Sequence, residues 1–269
     1  MEHPDMNVAA VQLTAEESVE ANVERAVSRV RDAAKRGAEL VVLPEMWNVG
    51  YFAFDAYDDA AEPLDGPTAT RLAELADELD IHLHGGSIVE RDGDDLYNTS
   101  LLFDPAGERI ASYRKIHLFG YESEESTVLT PGEEVCAVET DLGTVGLTTC
   151  YDLRFPELYR QLVERGVELL LVTSAWPAAR SDHWHLLTRT RAVENQLFLV
   201  AANLTGTNRG VELGGQSVVV DPWGIQRANA GNGDRTVTAE IDRETVEEVR
   251  AEFPALHDRR FRGDYTIDE

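Results

Sequence analysis

Residues 6–45 read MNVAAVQLTAEESVEANVERAVSRVRDAAKRGAELVVLPE. The apolar period changes twice within this stretch. Met6 to Leu13 is an apolar run of strand length. Val19, Val23, Ala26, Val27, Val30, Ala33 and Ala34 then recur at three- and four-residue steps with charges between them, which predicts a helix. Gly37 closes it, and LVVLP, residues 40–44, predicts a short buried strand stopped by Pro44. Strand, helix, strand in this order is the unit of an α/β fold.

The same alternation continues outward. Thr68 to Leu79 reads as a second helix. From Ile81 to Arg114 strand-like runs are broken by the turn clusters RDGDD and DPAGE, which predicts hairpins. Residues 122–134 are polar and loop-like. Strands are expected at 135–139, 144–149, 167–173, 197–202, 214–220 and 236–241, with helices at 156–166, 183–196 and 243–252. Neither repeats nor a low-complexity linker interrupt the pattern, so one domain over residues 1–269 is expected. Its architecture is a mixed sheet, or two packed sheets with helices outside.

Composition narrows the function. Fifty acidic residues against 24 basic ones give a net charge of −26, which repels nucleic acid and anionic membranes. The basic residues are almost all Arg; Lys35 and Lys115 are the two lysines. Abundant carboxylates with almost no Lys fit life in molar salt, where the Debye length falls to about 3 Å. The longest apolar run, around Leu169 to Trp176, is too short to span a bilayer, and the N-terminus lacks a signal-peptide pattern. Two cysteines make no disulfide framework. The chain is expected to be soluble and cytoplasmic, so the glycosylation-like triplets at Asn98 and Asn203 read as chance matches.

Three apolar strands each end on a reactive side chain. Glu45 follows VVLP, Lys115 follows IASYR and Cys150 follows VGLTT. Strand ends in α/β folds are rigid and open to the loops beyond, which suits functional groups. In a chain that has lost nearly every other lysine, Lys115 marks a place where Arg cannot substitute. Cys136 lies inside a strand and reads as a small buried hydrophobe. Cys150 stands just before a Pro that starts a helix, where a helix dipole would favour its thiolate. Amide cleavage needs a nucleophile, a proton carrier and a positive centre for the oxyanion. Cys150, Glu45 and Lys115 supply these in turn.

The segments LPEMW, YRKIHLF and TTCYDLRFPE resemble the three catalytic motifs of the nitrilase, or carbon–nitrogen hydrolase, superfamily. So do TSAWPAARSDHWHLLTRTRAVENQ at 173–196 and GGQSVVVDPWG at 214–224. The resemblance implies a four-layer α-β-β-α sandwich, commonly dimeric, that uses no cofactor. It implies a Glu45, Lys115, Cys150 triad working through a thioester, with the Tyr151 backbone N–H as a second oxyanion donor. It also implies a supporting Glu in the loop YESEESTVLTPG, where Glu122, Glu124 and Glu125 are candidates and the family spacing selects Glu125. CYDLRFPE resembles amide-cleaving members. AWPAARSDHW resembles the ω-amidase branch, which hydrolyses 2-oxo-acid amides such as 2-oxoglutaramate. A carboxylate-bearing substrate calls for an Arg partner. Arg180 is the candidate, with Trp176 as a pocket wall or core residue. Asp152 and Arg154 read as a structural ion pair beside the cysteine.

Other readings have less behind them. Pairs of histidines occur at His82 and His84 and at His183 and His185, but no third zinc ligand stands at a recognisable spacing, and HExxH is absent. GxSxG, a P-loop and GxGxxG are also missing. Deaminated glutathione amidase, aliphatic amidase and N-carbamoyl hydrolase chemistry remain alternatives within the family. A non-catalytic binding protein on the same fold is the alternative outside it.

Overall fold

Strand β1 (Met6–Gln12) sends alternate side chains into two different apolar layers. Val8 and Ala10 face one, Ala9 and Val11 the other. A strand covered on both faces must be apolar throughout, which is why its sequence shows no polar alternation. Helix α1 (Val19–Ala34) follows, opened by the Ser18 hydroxyl, which accepts from the Ala21 N–H at 3.2 Å. Strand β2 (Leu40–Val42) then pairs parallel to β1, with Ala9 opposite Val41.

The computed structural model describes residues 5–121 and 123–260. The chain continues through α2 (Tyr57–Ala60), α3 (Pro67–Leu79), β3 (His82–Asp92), β4 (Asp95–Phe103), β5 (Arg109–Arg114) and α4 (Glu125–Val128). Next come β6 (Cys136–Thr140), β7 (Gly143–Thr149), α5 (Pro156–Glu164), β8 (Leu169–Ser174), α6 (Ser181–Asn195) and β9 (Phe198–Asn203). A small hairpin, β10 (Thr205–Asn208) and β11 (Val211–Gly214), precedes β12 (Val218–Val220), β13 (Gln226–Asn229), β14 (Arg235–Ile241) and α7 (Glu244–Glu252).

Two six-stranded sheets result, ordered β14-β1-β2-β3-β4-β5 and β13-β12-β9-β8-β7-β6. Each has three parallel strands at its centre, β1-β2-β3 in one and β7-β8-β9 in the other. Antiparallel strands flank them in the same pattern: β14 beside β1 and β6 beside β7, β4-β5 beside β3 and β12-β13 beside β9. The sheets face each other across Val8, Ala10, Leu40, Val42, Leu147, Leu171 and Val200. α1 and α3 cover the outer face of the first sheet through Val27, Val30, Leu72 and Leu75. α5 and α6 cover the second through Leu158, Leu162, Trp184 and Ala192. This is the expected four-layer α-β-β-α sandwich. Truncating one fully buried residue between the sheets, as in Leu171→Ala, costs about 2–5 kcal/mol.

The sequence reading does not anticipate α2 or β13, and the structure departs from it in three further places. The polar segment 122–134 contains the short helix α4. The expected strand at 214–220 is two strands, because Gly215 (φ 59°) and Gln216 (φ 59°) turn the chain between them. The β10–β11 hairpin belongs to neither large sheet; its first strand, TGTN, is small and polar and carries no apolar alternation to announce it.

Candidate functional site

Glu45, Lys115 and Cys150 emerge at the same end of the sandwich. After β2, Pro44 stops the strand and Met46 takes a left-handed φ of 48°; its N–H donates to Ser87 Oγ at 3.1 Å. Lys115 follows β5, its N–H donating to the Asn98 carbonyl of β4 at 2.9 Å. Cys150 follows β7 with φ 47° at the head of a 3₁₀ turn, Cys150–Arg154. Such a φ is strained for any residue but glycine. Asp152 holds the turn in place: its carboxylate accepts from the Thr149 N–H at 2.8 Å and from Tyr113 Oη at 2.7 Å.

The three side chains converge, with Glu125 beside them. Lys115 Nζ donates to Glu45 Oε1 at 2.8 Å and to Glu125 Oε1 and Oε2 at 2.8 and 2.9 Å. Asn98 Nδ2 bridges the carboxylates, 2.8 Å from Glu45 and 3.0 Å from Glu125. The Ala175 N–H donates to Glu45 Oε2 at 2.8 Å. Tyr51 Oη and the Phe119 N–H donate to Glu125 Oε2 at 3.0 and 2.6 Å. Glu45, Asn98, Lys115 and Glu125 are all fully buried. Buried charges persist only when paired and hydrogen-bonded, and these are. Glu124 is exposed at the start of α4, and Glu122 lies outside the described residues.

Burial sets the protonation pattern. It pushes the Glu45 carboxyl above its usual range, although the Lys115 charge and hydrogen bonds from Lys115 and Cys150 pull the other way. Burial alone would lower the Lys115 pKa, but Glu125 and Glu45 outweigh it and keep the ammonium charged. Burial, then the nearby Glu45, pushes the Cys150 thiol well up, against the pull of Lys115. The expected helix-dipole activation of the thiolate is therefore corrected. α5 begins only at Pro156, beyond the 3₁₀ turn, and the buried thiol keeps its proton.

Above Cys150 opens a narrow pocket whose wall includes Tyr51, Phe52, Phe119, Tyr151, Arg154, Trp176 and Arg180. Trp176 is both wall and core: it is 2% exposed, and its Nε1 donates to the Arg180 carbonyl at 2.8 Å. The Arg180 guanidinium lies 5.5 Å from the Phe119 ring centre and 5.4 Å from that of Tyr121. Arg154 lies over Trp176 at 4.8 Å and within 3.3 Å of His183 Nδ1. The expected Asp152–Arg154 ion pair is not formed. Asp152 turns inward to Tyr113 and to His117, whose Nδ1 is 2.7 Å away, and Arg154 turns to the pocket. Among the described residues neither Arg154 nor Arg180 has a carboxylate at ion-pair distance. Burial, with help from the Arg180 charge, lowers the Arg154 pKa from its ordinary value.

Sequence reasoning missed Asn98, Tyr51 and Arg154. Asn98 could have been found as the cross-strand neighbour of the Lys115 strand. Asn203, the other glycosylation-like position, is also buried here: its Oδ1 accepts from the Trp176 N–H at 2.6 Å. No three His, Cys, Asp or Glu side chains form a metal-binding group among the described residues.

Fold and site together define a hydrolase of carbon–nitrogen bonds other than peptide bonds. Residues 7–251 match the model of the carbon-nitrogen hydrolase family, and the chain belongs to that family. It is similar to a 2-oxoglutaramate amidase of Paenarthrobacter nicotinovorans, with 40% identity over 265 residues covering 95% of this chain and 90% of the relative. Its structure resembles that of Saccharomyces cerevisiae Nit3, a member of branch 10 of the nitrilase superfamily, at TM-score 0.88 and 36% identity, covering 96% and 97% of the two chains. It also resembles an amidase mutant from Nesterenkonia sp. AN1 that carries the acetamide moiety of fluoroacetamide covalently on its active site cysteine. There the TM-score is 0.84 and the identity 29%, with 96% of this chain and 94% of the other covered.

Proposed function

We propose that the chain is an ω-amidase that releases ammonia from small linear amides bearing a carboxylate, with 2-oxoglutaramate as the representative substrate. The observation that carries this reading is the pair of guanidinium groups, Arg154 and Arg180, at the mouth of a pocket floored by Cys150, neither of which has a carboxylate at ion-pair distance among the described residues. In a chain with 50 acidic residues, two neighbouring arginines without a carboxylate partner among the described residues suit an anion supplied by the substrate. The similarity to a 2-oxoglutaramate amidase supports the same reading.

The chemistry follows from the floor of the pocket. Glu45 takes the thiol proton as Cys150 Sγ attacks the amide carbon, because a thiol pushed up by burial must lose its proton during attack. Negative charge develops on the carbonyl oxygen and is met by the Lys115 ammonium and the Tyr151 N–H. Glu45 passes the proton to the departing nitrogen, the carbon–nitrogen bond breaks, and ammonia leaves a thioester on Cys150. Water then attacks the thioester. Glu45 removes the water proton and returns it to sulfur, so acid and free thiol are regenerated. Glu125, fixed by Tyr51, Asn98 and the Phe119 N–H, holds Lys115 in place. Trp176 and Arg180 wall and anchor the distal part of the substrate.

The chain also reads as a cytoplasmic, salt-adapted homodimer. Both cysteines are free, and no helix among the described residues is long and apolar enough to cross a membrane. The charge of −26 with two lysines supports the salt reading. Leu186 and Val193 lie exposed on α6 seven residues apart, and Val193 adjoins the Trp223–Ile225 turn, where Trp223 meets Phe253. This apolar face on an acidic surface supports pairing with a second copy.

The test compares kcat/KM for 2-oxoglutaramate with that for a neutral amide of equal length. A strong preference for the carboxylate substrate is expected. Equal turnover of the two would reject the ω-amidase reading.

A further inference from the structure

The two walls of the pocket come from distant parts of the chain, and one small element touches both. The β10–β11 hairpin is anchored at its base, where the Thr205 N–H donates to the Leu13 carbonyl at the end of β1 at 3.1 Å. On one side it meets the Trp176–Arg180 wall. The Gly214 N–H donates to the Trp176 carbonyl at 2.8 Å, and Leu213 bridges to Pro177. On the other side its tip meets the Tyr51–Phe52 wall. Asn208 Oδ1 accepts from the Phe52 N–H at 2.7 Å, and Arg209 Nη2 lies 3.1 Å from Asp55 Oδ2. The approach is close: a Cβ added at Gly50 would fall 2.4 Å from Asn208 Nδ2.

We infer that the β10–β11 hairpin sets the width of the pocket above Cys150, with Asn208 as the positioning residue that ties the Phe52 wall to the Trp176 wall. The two tip contacts differ in kind. Asn208 is 8% exposed and its hydrogen bond is neutral, so salt screens it little. The Arg209–Asp55 pair is exposed on both sides, at 43% and 73%, and molar salt screens it. In a chain with this charge balance the neutral contact is the one that keeps the walls together. Width in turn decides which acyl chains reach the thiol. The inference rests on the pocket above Cys150 being the substrate pocket, but its test is read on the thiol and does not depend on which amide is turned over.

The experiment measures alkylation of Cys150 by iodoacetamide and by a bulky N-aryl maleimide in molar KCl. Peptide mass spectrometry follows the site, with Cys136 as internal reference for general loosening. Asn208→Leu removes the acceptor at nearly constant volume; Asn208→Asp keeps an acceptor for the Phe52 N–H. The expected result is a bulky-to-small rate ratio at Cys150 raised about 3- to 10-fold in Asn208→Leu, the scale of one lost hydrogen bond. The ratio should return toward wild type in Asn208→Asp, with Cys136 unchanged. Arg209→Ala should leave the ratio unchanged in molar KCl. An unchanged ratio in folded Asn208→Leu, or a rise matched at Cys136, would overturn the inference. So would equal rises in the Leu and Asp variants.

Discussion

At the floor of the pocket every charge has a partner. Lys115 spans Glu45 and Glu125, and Asn98 joins the two carboxylates from behind. At the mouth, a few side chains away, Arg154 and Arg180 rest on aromatic rings with no carboxylate at ion-pair distance among the described residues. The floor is sealed from water, so unpaired charge there would be costly, and its network fixes one geometry. The mouth is half-open, so its cations can remain unpaired until an anion arrives. In the proposed function one region serves bond breaking and the other chooses what is broken.

The comparison breaks most sharply at the sulfur. Cys150→Ala should lower turnover by about 10⁴-fold or more while leaving substrate affinity nearly intact, since removing a nucleophile abolishes the chemical step. Equilibrium binding of substrate to the variant checks the second half. Lys115→Met should abolish turnover and also destabilise the fold by about 3–5 kcal/mol, because it strands two buried carboxylates. Denaturant unfolding measures this, and adding Glu125→Gln should recover part of the stability.

Glu45→Gln should cost about 10²–10⁴-fold in kcat. The Glu45 pKa is raised by burial, and the base must be ionised to accept the thiol proton. Activity should therefore fall as pH drops through a value above the ordinary glutamate value of about 4.3. A pH profile of kcat/KM with its acid limb at or below that value would contradict the burial argument. At the mouth the effects should shift from kcat to KM. Arg154→Ala should raise KM for the carboxylate substrate by about 10- to 100-fold, the scale of a charged hydrogen bond. Arg180→Ala should do the same, and neither should affect a neutral amide. A fall in kcat with unchanged KM would merge mouth and floor into one function.

The same contrast explains what the sequence could and could not reveal. Glu45, Lys115 and Cys150 stand at the ends of strand-like runs, a pattern visible along the chain; the runs before Glu45 and Cys150 are apolar because β2 and β7 are buried parallel strands, while β5 before Lys115 is an antiparallel edge strand. Asn98 and Asn203 sit in ordinary-looking triplets. Only strand pairing shows that Asn98 lies behind Lys115 and Asn203 behind Trp176. Arg154 looked like a partner for Asp152 because they are two residues apart, but the 3₁₀ turn sends them to opposite sides. The hairpin was illegible for a different reason: its tip and its base contact residues more than 150 positions away in sequence, as between Asn208 and Phe52. Local patterns announce strands and their ends, while cross-strand and cross-wall contacts need the fold.

The most direct test of the account is ammonia release from 2-oxoglutaramate in molar KCl, comparing wild type with Cys150→Ala. Release by wild type that vanishes in the folded variant is the predicted result. Release that persists in Cys150→Ala would contradict it, because the proposed mechanism passes through a thioester on Cys150.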